Sequence, residues 1–176
     1  MTELLLEDTI PYGVIEGSGD RSKTRMFKYI LNHALTNHGV RNVFKLAAAV
    51  VYKKTVISIG LNQMKTHPLQ SEFGTNEDSI YLHAEIDAIR KALQIIDREQ
   101  LRLCDMYVAR VKKPYPETEF YVTGLSKPCP GCLKAIRSFG IKNVYFTEDI
   151  ENESMELQNY EEARSGRSCD FLVRDR

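Results

Sequence analysis

Two short runs of the sequence carry side chains that could bind a metal ion. The first is residues 83–85, of sequence HAE, and the second is residues 128–132, of sequence PCPGC. They provide the imidazole of His83 and the thiols of Cys129 and Cys132. One imidazole and two thiolates supply three of the four ligands that zinc takes, and a fourth position left to water is the pattern of a catalytic zinc site.

Glu85 is the candidate acid/base group. It lies two residues after His83, in the first turn of the same predicted helix. A carboxylate beside a zinc-bound water is what general acid/base chemistry requires. Taken singly, Glu85 is equally well explained as a favourable charge on the helix dipole, and His83 as a capping or core histidine. Two such motifs, each opening a helix, are much less expected to occur together by chance.

The two cysteines leave alternatives open. At spacing i, i+3 on a helix start, Cys129 and Cys132 meet a partial positive charge that favours the thiolate. The same spacing fits a thioredoxin-like redox pair. A structural zinc site is a further alternative, because Cys104 or Cys169 could supply a fourth ligand.

Composition bounds the possible partners. The length of 176 residues fits one domain, and 24 basic residues balance 24 acidic ones. A dedicated nucleic-acid binder usually has a basic excess, so a nucleic-acid partner is possible but not favoured. No apolar run approaches the length of a membrane span. The N-terminus is acidic and too short in its apolar part for a signal peptide, so a cytoplasmic location is the default expectation.

The elements that must position these residues follow from apolar periodicity and turn residues. The pattern predicts a helix over about 20–39, strands over 46–52 and 56–60, a helix over 82–97, a strand over 106–111, a helix over 130–139 and a strand over 143–146. Strands alternating with helices predict an α/β sandwich, with parallel strands wherever a helix crosses over.

The remaining segments are predicted to be less regular. Residues 1–20 are expected to form an N-terminal arm, and residues 21–176 a single domain. Residues 61–80 are predicted to be a long polar loop, and residues 113–125 an insertion that forms a loop or small hairpin. An acidic tail begins near residue 148, and residues 171–173 are expected to form a last edge strand.

The two motifs together, His-x-Glu followed by Pro-Cys-x-x-Cys, resemble the zinc-dependent cytidine/deoxycytidylate deaminase superfamily over roughly residues 43–148. The resemblance implies a three-layer α/β/α sandwich with a mixed sheet of about five strands. It implies that His83, Cys129 and Cys132 hold zinc and that Glu85 carries protons. The reaction would replace the amino group of a base by oxygen and release ammonia.

The resemblance also implies substrate contacts. Asn62 ends a Gly-x-Asn run, whose asparagine contacts the sugar in this superfamily. The backbone N–H of Ala84 and the carbonyl of Ser126 are candidate contacts for the base and its amino group. Lys65 and His67 follow in the loop, where they could meet a 5′-phosphate or simply be solvated.

The histidine in the ligand set narrows the range of candidate substrates. Small free-cytidine deaminases usually have cysteine in that position, whereas His83 resembles the deoxycytidylate, polynucleotide-editing and tRNA-adenosine branches. Zero net charge and the absence of tryptophan disfavour a single-strand editor, which needs stacking platforms in a basic groove. The favoured hypothesis is therefore a deaminase of a cytosine nucleotide, with deoxycytidylate first. The alternatives are a polynucleotide-editing deaminase and a non-catalytic zinc-stabilised domain.

Two features lie beyond this pattern. Forty-five residues separate His83 from Cys129, more than expected for a deoxycytidylate deaminase, and the excess maps to residues 113–125. Relatives often assemble as dimers or larger oligomers, so a homo-oligomer is expected here by analogy alone.

Overall fold

The computed structural model describes residues 21–40, 44–75, 80–118 and 120–149. The predicted N-terminal arm, most of the acidic tail and the strand at 171–173 lie outside these ranges. The elements are, in chain order, α1 (Arg21–Leu35), β1 (Phe44–Tyr52), β2 (Thr55–Leu61), α2 (Pro68–Phe73), α3 (Ala84–Ala92), α4 (Arg98–Leu101), β3 (Asp105–Lys112), β4 (Val122–Gly124), α5 (Pro130–Ser138) and β5 (Asn143–Phe146). Within the described ranges, every helix is too short or too polar to cross a membrane.

The strands form one mixed sheet of five, as predicted. β1 lies between β2 and β3 and pairs antiparallel with both. The other side of β3 is shared by two strands. β5 runs parallel along Asp105–Val108, and β4 runs antiparallel along Arg110–Lys112. β3 and β5 are parallel, and α5 lies between them in the chain. The predicted parallel pairing across a helix is therefore confirmed.

Helix α1 covers one face of the sheet. Its buried Phe27, Ile30 and Leu31 share an apolar cluster with Ala47 and Ala49 of β1. These two alanines alternate along the strand, so they point to the same face.

Helices α3 and α5 cover the opposite face. Ile86 and Ile89 of α3 and Ile136 of α5 share a second cluster with Ala48 and Val50 of β1. β1 is thus buried on both faces, as its nearly continuous apolar sequence indicates. The predicted three-layer α/β/α sandwich is confirmed.

β1 and β2 form a hairpin whose loop is two residues long. Lys53 and Lys54 have φ of 45° and 70°. Positive φ at both central residues matches the right-handed twist of the flanking strands.

Helix α3 is shorter than the prediction of 82–97. It ends at Ala92, and Asp97 adopts an extended conformation and caps the separate helix α4. The Asp97 side chain accepts the Gln100 N–H, and the Gln100 side chain accepts the Asp97 N–H. The apolar periodicity continued across this break through Leu93 and Ile96, but Leu93 is exposed, whereas Ile96 packs against the core from outside the helix.

Two segments predicted as irregular contain regular structure. α2 forms inside the predicted loop of residues 61–80, where Pro68 occupies the first turn and His67 caps it. β4 forms inside the predicted insertion of residues 113–125 and pairs with the end of β3. β4 depends on its strand partner β3, whereas the residues that start α2, His67 and Pro68, are local.

Candidate metal centre and active site

Helix α3 starts in direct contact with β2. A Cβ atom on Gly60 would lie 2.1 Å from the Ala84 carbonyl oxygen and 2.2 Å from the Ala88 nitrogen. Only glycine therefore permits this approach. The buried carboxylate of Asp87 accepts a hydrogen bond from the Leu61 N–H at 3.1 Å. These contacts fix the first turn of α3 at the end of β2.

Helix α5 starts with a cap of its own. Cys129 has an extended backbone, and its sulfur accepts the Cys132 N–H at 3.4 Å. Pro130 occupies the first helical position, where its missing N–H has no cost. A Cβ atom on Gly131 would lie 2.6 Å from the carbonyl oxygen of Phe73, so α2 packs directly against this helix start.

The two helix starts bring three ligand atoms together. His83 Nδ1 lies 3.3 Å from Cys132 Sγ and 3.5 Å from Cys129 Sγ, and all three atoms lie within 4.8 Å of one another. Tetrahedral zinc with bonds of about 2.0 Å to nitrogen and 2.3 Å to sulfur places these atoms about 3.5 Å apart. The donor set and its spacing therefore fit a zinc ion.

Cys104 does not belong to this group. It is buried, and its thiol donates to the Gln100 carbonyl at 3.4 Å. Among the described residues, the group consists of His83, Cys129 and Cys132. Cys169 lies outside the described ranges.

The pKa values of Cys129 and Cys132 are shifted in opposite directions. A hydrogen bond with Cys132, aided by one with His83, lowers the pKa of Cys129 to about 4. The hydrogen bond with Cys129 and burial raise the pKa of Cys132 above its ordinary value. The hydrogen bond with Cys129 raises the pKa of His83. The group thus shares protons that a bound cation displaces, because metals bind thiolate and neutral imidazole.

Glu85 lies beside this group in the first turn of α3. Glu85 is only 3% exposed to solvent. Burial raises the pKa of the Glu85 carboxyl, while His83 acts in the opposite direction. A carboxyl group with a raised pKa binds a proton more readily than a solvated one, which suits a general acid/base group. Ala84 is the first residue of α3, so helix geometry leaves its N–H without a partner inside the helix.

Three strand ends lie on one line across the sheet. Asn62 follows Leu61, which lies in register with Ala47, and Ala47 lies in register with Ala109. β4 and β5 end beside the two neighbours of Ala109. The residues that follow these strands, Asn62 and Ser126 among them, therefore lie at the same end of the sheet.

The side chain of Asn62 is held by its surroundings. Its Oδ1 accepts the Leu46 N–H at 2.8 Å and the Asn37 Nδ2 at 2.9 Å. The side-chain nitrogen is therefore the group that Asn62 can offer to a ligand. Asn37 is 3% exposed and lies just beyond α1. Sequence reasoning missed it, because a polar residue after an amphipathic helix is usually solvated.

The backbone at Ser126 is held by a buried hydrogen-bond network. Its hydroxyl donates to the Val108 carbonyl at 2.8 Å, and its N–H donates to the Thr147 carbonyl at 2.9 Å. The Thr147 hydroxyl donates to the Gly124 carbonyl at 2.7 Å. Thr147 thus joins the ends of β4 and β5. Its place directly after a strand was the sole signal for it in the sequence.

Lys65 and His67 have different surroundings. Lys65 is exposed, and its carbonyl accepts the Leu82 N–H at 2.9 Å, which places its backbone beside the residue before His83. His67 caps α2, where its Nδ1 accepts the Leu69 N–H at 3.1 Å. Phosphate binding by either side chain stays a prediction.

Gln70 contacts the start of α3 from α2. It is 1% exposed, and its Oε1 accepts the His83 N–H at 3.0 Å. Sequence reasoning missed this residue because it lies in a segment predicted to be a polar loop.

Comparisons with known proteins found a matching family model and similar solved structures. The family model for the cytidine and deoxycytidylate deaminase zinc-binding region matches residues 20–148. The dCMP deaminase from the cyanophage S-TIM5 in complex with dCMP and dUMP is 22% identical, over 74% of this chain and 83% of that chain, with a TM-score of 0.48. Its apo form is 20% identical over 76% and 91%, with a TM-score of 0.42. Guanine deaminase from Bacillus subtilis is 19% identical over 74% and 83%, with a TM-score of 0.36.

The search of curated proteins found no match. The matched family model spans more than half of the sequence and includes every residue of the ligand group, together with Glu85. The chain belongs to the cytidine and deoxycytidylate deaminase zinc-binding family.

Proposed function

We propose that this chain is a zinc-dependent hydrolytic deaminase that converts the cytosine base of a nucleotide to uracil, with deoxycytidylate as the first candidate substrate. The observation that carries the proposal is the group of His83, Cys129 and Cys132, with ligand atoms within 4.8 Å of one another, beside the buried Glu85. Family membership supports the reaction class. The choice of a nucleotide depends on histidine as the nitrogen ligand and on the zero net charge.

The ligand group would hold the ion through Nδ1 of His83 and the sulfurs of Cys129 and Cys132. Bound zinc supplies a Lewis acid that lowers the pKa of water from 15.7 to about 7. Placement at two helix N-termini favours the thiolates, because each terminus carries a partial positive charge.

Glu85 would move the protons. Its carboxylate takes a proton from the attacking water and delivers it to the ring nitrogen of the base. The water oxygen bonds to the ring carbon that bears the amino group, and the bond from that carbon to the amino nitrogen breaks. Glu85 then transfers the second water proton to the departing nitrogen, which leaves as ammonia. Burial of Glu85 supports this role, because the carboxyl must exist in both protonation states.

The substrate would be oriented by groups at the same end of the sheet. The Ala84 N–H and the Ser126 carbonyl would contact the base and its amino group, and the Asn62 side chain would contact the sugar. The bonds that hold Asn62 and Ser126 support these roles, because preorganised polar groups lose little entropy when a ligand binds. Lys65 or His67 would contact the 5′-phosphate.

A substrate panel tests this proposal. Ammonia release is measured for cytidine, deoxycytidine, CMP, dCMP and a single-stranded oligonucleotide that contains cytosine. We expect the highest kcat/KM for dCMP and loss of activity on zinc chelation. Ammonia release from none of the five substrates by zinc-loaded protein would contradict the proposal.

Polynucleotide editing is a second candidate, favoured by aromatic side chains near the predicted insertion. Tyr115 and Phe120 are about half exposed, at 48% and 47%, and the amine of Lys113 lies 6.0 Å from the ring centre of Tyr121. Aromatic and basic side chains together can stack and attract single strands. Activity confined to the oligonucleotide, with salt-dependent binding, would favour this candidate over the nucleotide deaminase.

A further inference from the structure

We infer that Gln70 is a positioning residue for the metal centre, because it holds the backbone of His83 and through it the imidazole of the ligand group. The inference depends on the metal group of the proposed function and not on its substrate. Gln70 does not touch the ion, and it acts through His83.

The N-cap residue of α3 does not cap the helix with its side chain. His83 is the N-cap, with an extended backbone at φ −78° and ψ 152°, and its side chain makes no capping hydrogen bond. Its ring instead faces the two sulfurs through Nδ1. An N-cap side chain ordinarily accepts a hydrogen bond from the first turn of its helix, whereas that of His83 is a ligand candidate.

Gln70 supplies a hydrogen-bond acceptor that holds the backbone at the start of α3. Its Oε1 accepts the His83 N–H at 3.0 Å, and its side chain is fully buried. This hydrogen bond is partly buried, so removal of the acceptor leaves the His83 N–H poorly satisfied and favours rotation of the His83 backbone. A rotation there moves Nδ1 away from Cys132 Sγ, now 3.3 Å away.

Helix α2 is well placed to hold this anchor rigid. The His67 side chain and the first-turn Pro68 fix its beginning, and the Gly74 N–H donates to the Gln70 carbonyl at its end. Its Phe73 carbonyl lies against Gly131 of α5, and the rings of Phe73 and Phe139 lie 6.0 Å apart.

One short helix therefore contacts the starts of both ligand helices. Movement of α2 would change the distance between the imidazole and the thiols. Groups that orient a metal ligand without touching the metal typically change metal affinity or activity by about 10- to 100-fold. We expect Gln70 to act in this range.

The test uses the full chain loaded with Zn²⁺ or Co²⁺ alone. Gln70→Leu removes the acceptor at similar volume, and Gln70→Glu keeps an oxygen at the same reach. We expect Gln70→Leu to weaken zinc binding by about 10- to 100-fold in competition with a chromophoric chelator. We also expect it to change the visible absorption of the Co²⁺ protein and to lower kcat more than it raises KM. Gln70→Glu should restore most of each property.

Two matched controls separate positioning from general destabilisation. Ser71→Ala changes an exposed side chain of the same helix, and Ile141→Val removes a methyl group from the same core cluster. Both should keep the wild-type Co²⁺ spectrum and zinc affinity. Wild-type affinity and spectrum in Gln70→Leu would overturn the inference.

If Gln70→Leu does not fold, Gln70→Asn replaces it. Asparagine keeps the amide but is one methylene shorter, so it cannot reach the His83 N–H. The inference requires tighter zinc binding in Gln70→Glu than in Gln70→Asn, and equal or reversed affinities would contradict it. Wild-type protein that binds neither metal would instead contradict the proposed function.

Discussion

The starts of α5 and α3 bring ligands to one point by different means. The two ligand candidates of α5 are linked locally, because the Cys129 sulfur accepts the Cys132 N–H. α3 depends on distant residues. The N–H of His83 is held by Gln70 from α2, and Asp87 accepts the N–H of Leu61 at the end of β2.

The difference shows which part of the site is local. A Cys-x-x-Cys turn on a helix start defines two ligand positions within four residues, so a short stretch suffices to build it. A single histidine defines no geometry by itself, so its position must come from packing and hydrogen bonds to other elements. Substitutions of the two cysteines should therefore act on the metal directly, whereas those of the residues around His83 should act through the position of its imidazole or through proton transfer.

The largest expected effect is at the start of α5. Cys132→Ala removes one of three ligand atoms, so we expect zinc affinity to fall by more than about 100-fold, beyond the cost of a change outside the ligand set. Activity should disappear with the metal. Zinc content and chelator competition measure the effect. Cys104→Ala is the matched control, since this buried thiol lies outside the group and should leave zinc content unchanged.

Glu85→Gln is expected to separate the chemistry of α3 from metal binding. Glutamine has the same shape but cannot shuttle a proton, so kcat should fall by about 10²- to 10⁴-fold. Zinc content should stay at the wild-type value, because Glu85 is outside the ligand group. Steady-state ammonia release and metal analysis measure both. Glu99→Gln, on the exposed surface of α4, should leave both unchanged, and full turnover by Glu85→Gln would remove Glu85 from the mechanism.

The same contrast explains what the sequence could predict. The grouping of His83, Cys129 and Cys132 could be predicted because their types and spacing match a known ligand pattern, and the structure brings the three together. The role of Glu85 stays a prediction. β1 was identifiable because nearly every residue in it is apolar, as a strand buried on both faces requires.

The supporting residues could not be predicted. Gln70, Asn37 and Thr147 are buried polar residues whose partners lie elsewhere in the chain. Their burial exists only in the folded protein, and no local pattern distinguishes them from solvated residues. The break of the predicted helix at residues 93–97 had a local signal, Asp97 followed three residues later by Gln100, but apolar periodicity obscured it.

Two glycines test how closely each helix start is packed. Gly60→Ala places a Cβ 2.1 Å from a backbone oxygen of α3, and Gly131→Ala places one 2.6 Å from a backbone oxygen of α2. Neither neighbour is a flexible side chain. We expect each substitution to lower the free energy of unfolding by about 1–3 kcal/mol, with Gly60→Ala the more severe.

Urea unfolding measures these changes. Gly124→Ala is the matched control, since its Cβ would meet the flexible ends of Arg110 and Lys112 at 3.2 Å, and we expect a change within about 0.5 kcal/mol. If Gly131→Ala were as mild as Gly124→Ala, α5 would not depend on α2, and the contrast between the helix starts would become sharper.

The smallest expected effect is on the pH dependence of folding stability, through the contact between Asp87 of α3 and Leu61 of β2. Burial raises the pKa of Asp87, but hydrogen bonds from Lys91, Arg90 and the Leu61 N–H outweigh it, so the pKa lies below its ordinary value. The carboxylate therefore stabilises the folded state above its ordinary pKa of about 3.9, and this contribution is lost as the pH falls through the lower pKa of the folded state.

Asp87→Asn removes this charge while an amide oxygen can still accept the Leu61 N–H. We expect the variant to lose less stability than the wild type as the pH falls from about 5 to about 2, because the charge contribution of Asp87 is lost between the ordinary carboxyl pKa and the lower pKa of the folded state. Urea unfolding at several pH values measures the slope. Asp97→Asn, on the exposed cap of α4, keeps the wild-type slope if the acid sensitivity originates at the start of α3. Equal slopes for wild type and Asp87→Asn would show that the ion pairs of Asp87 do not contribute to holding α3 on the sheet.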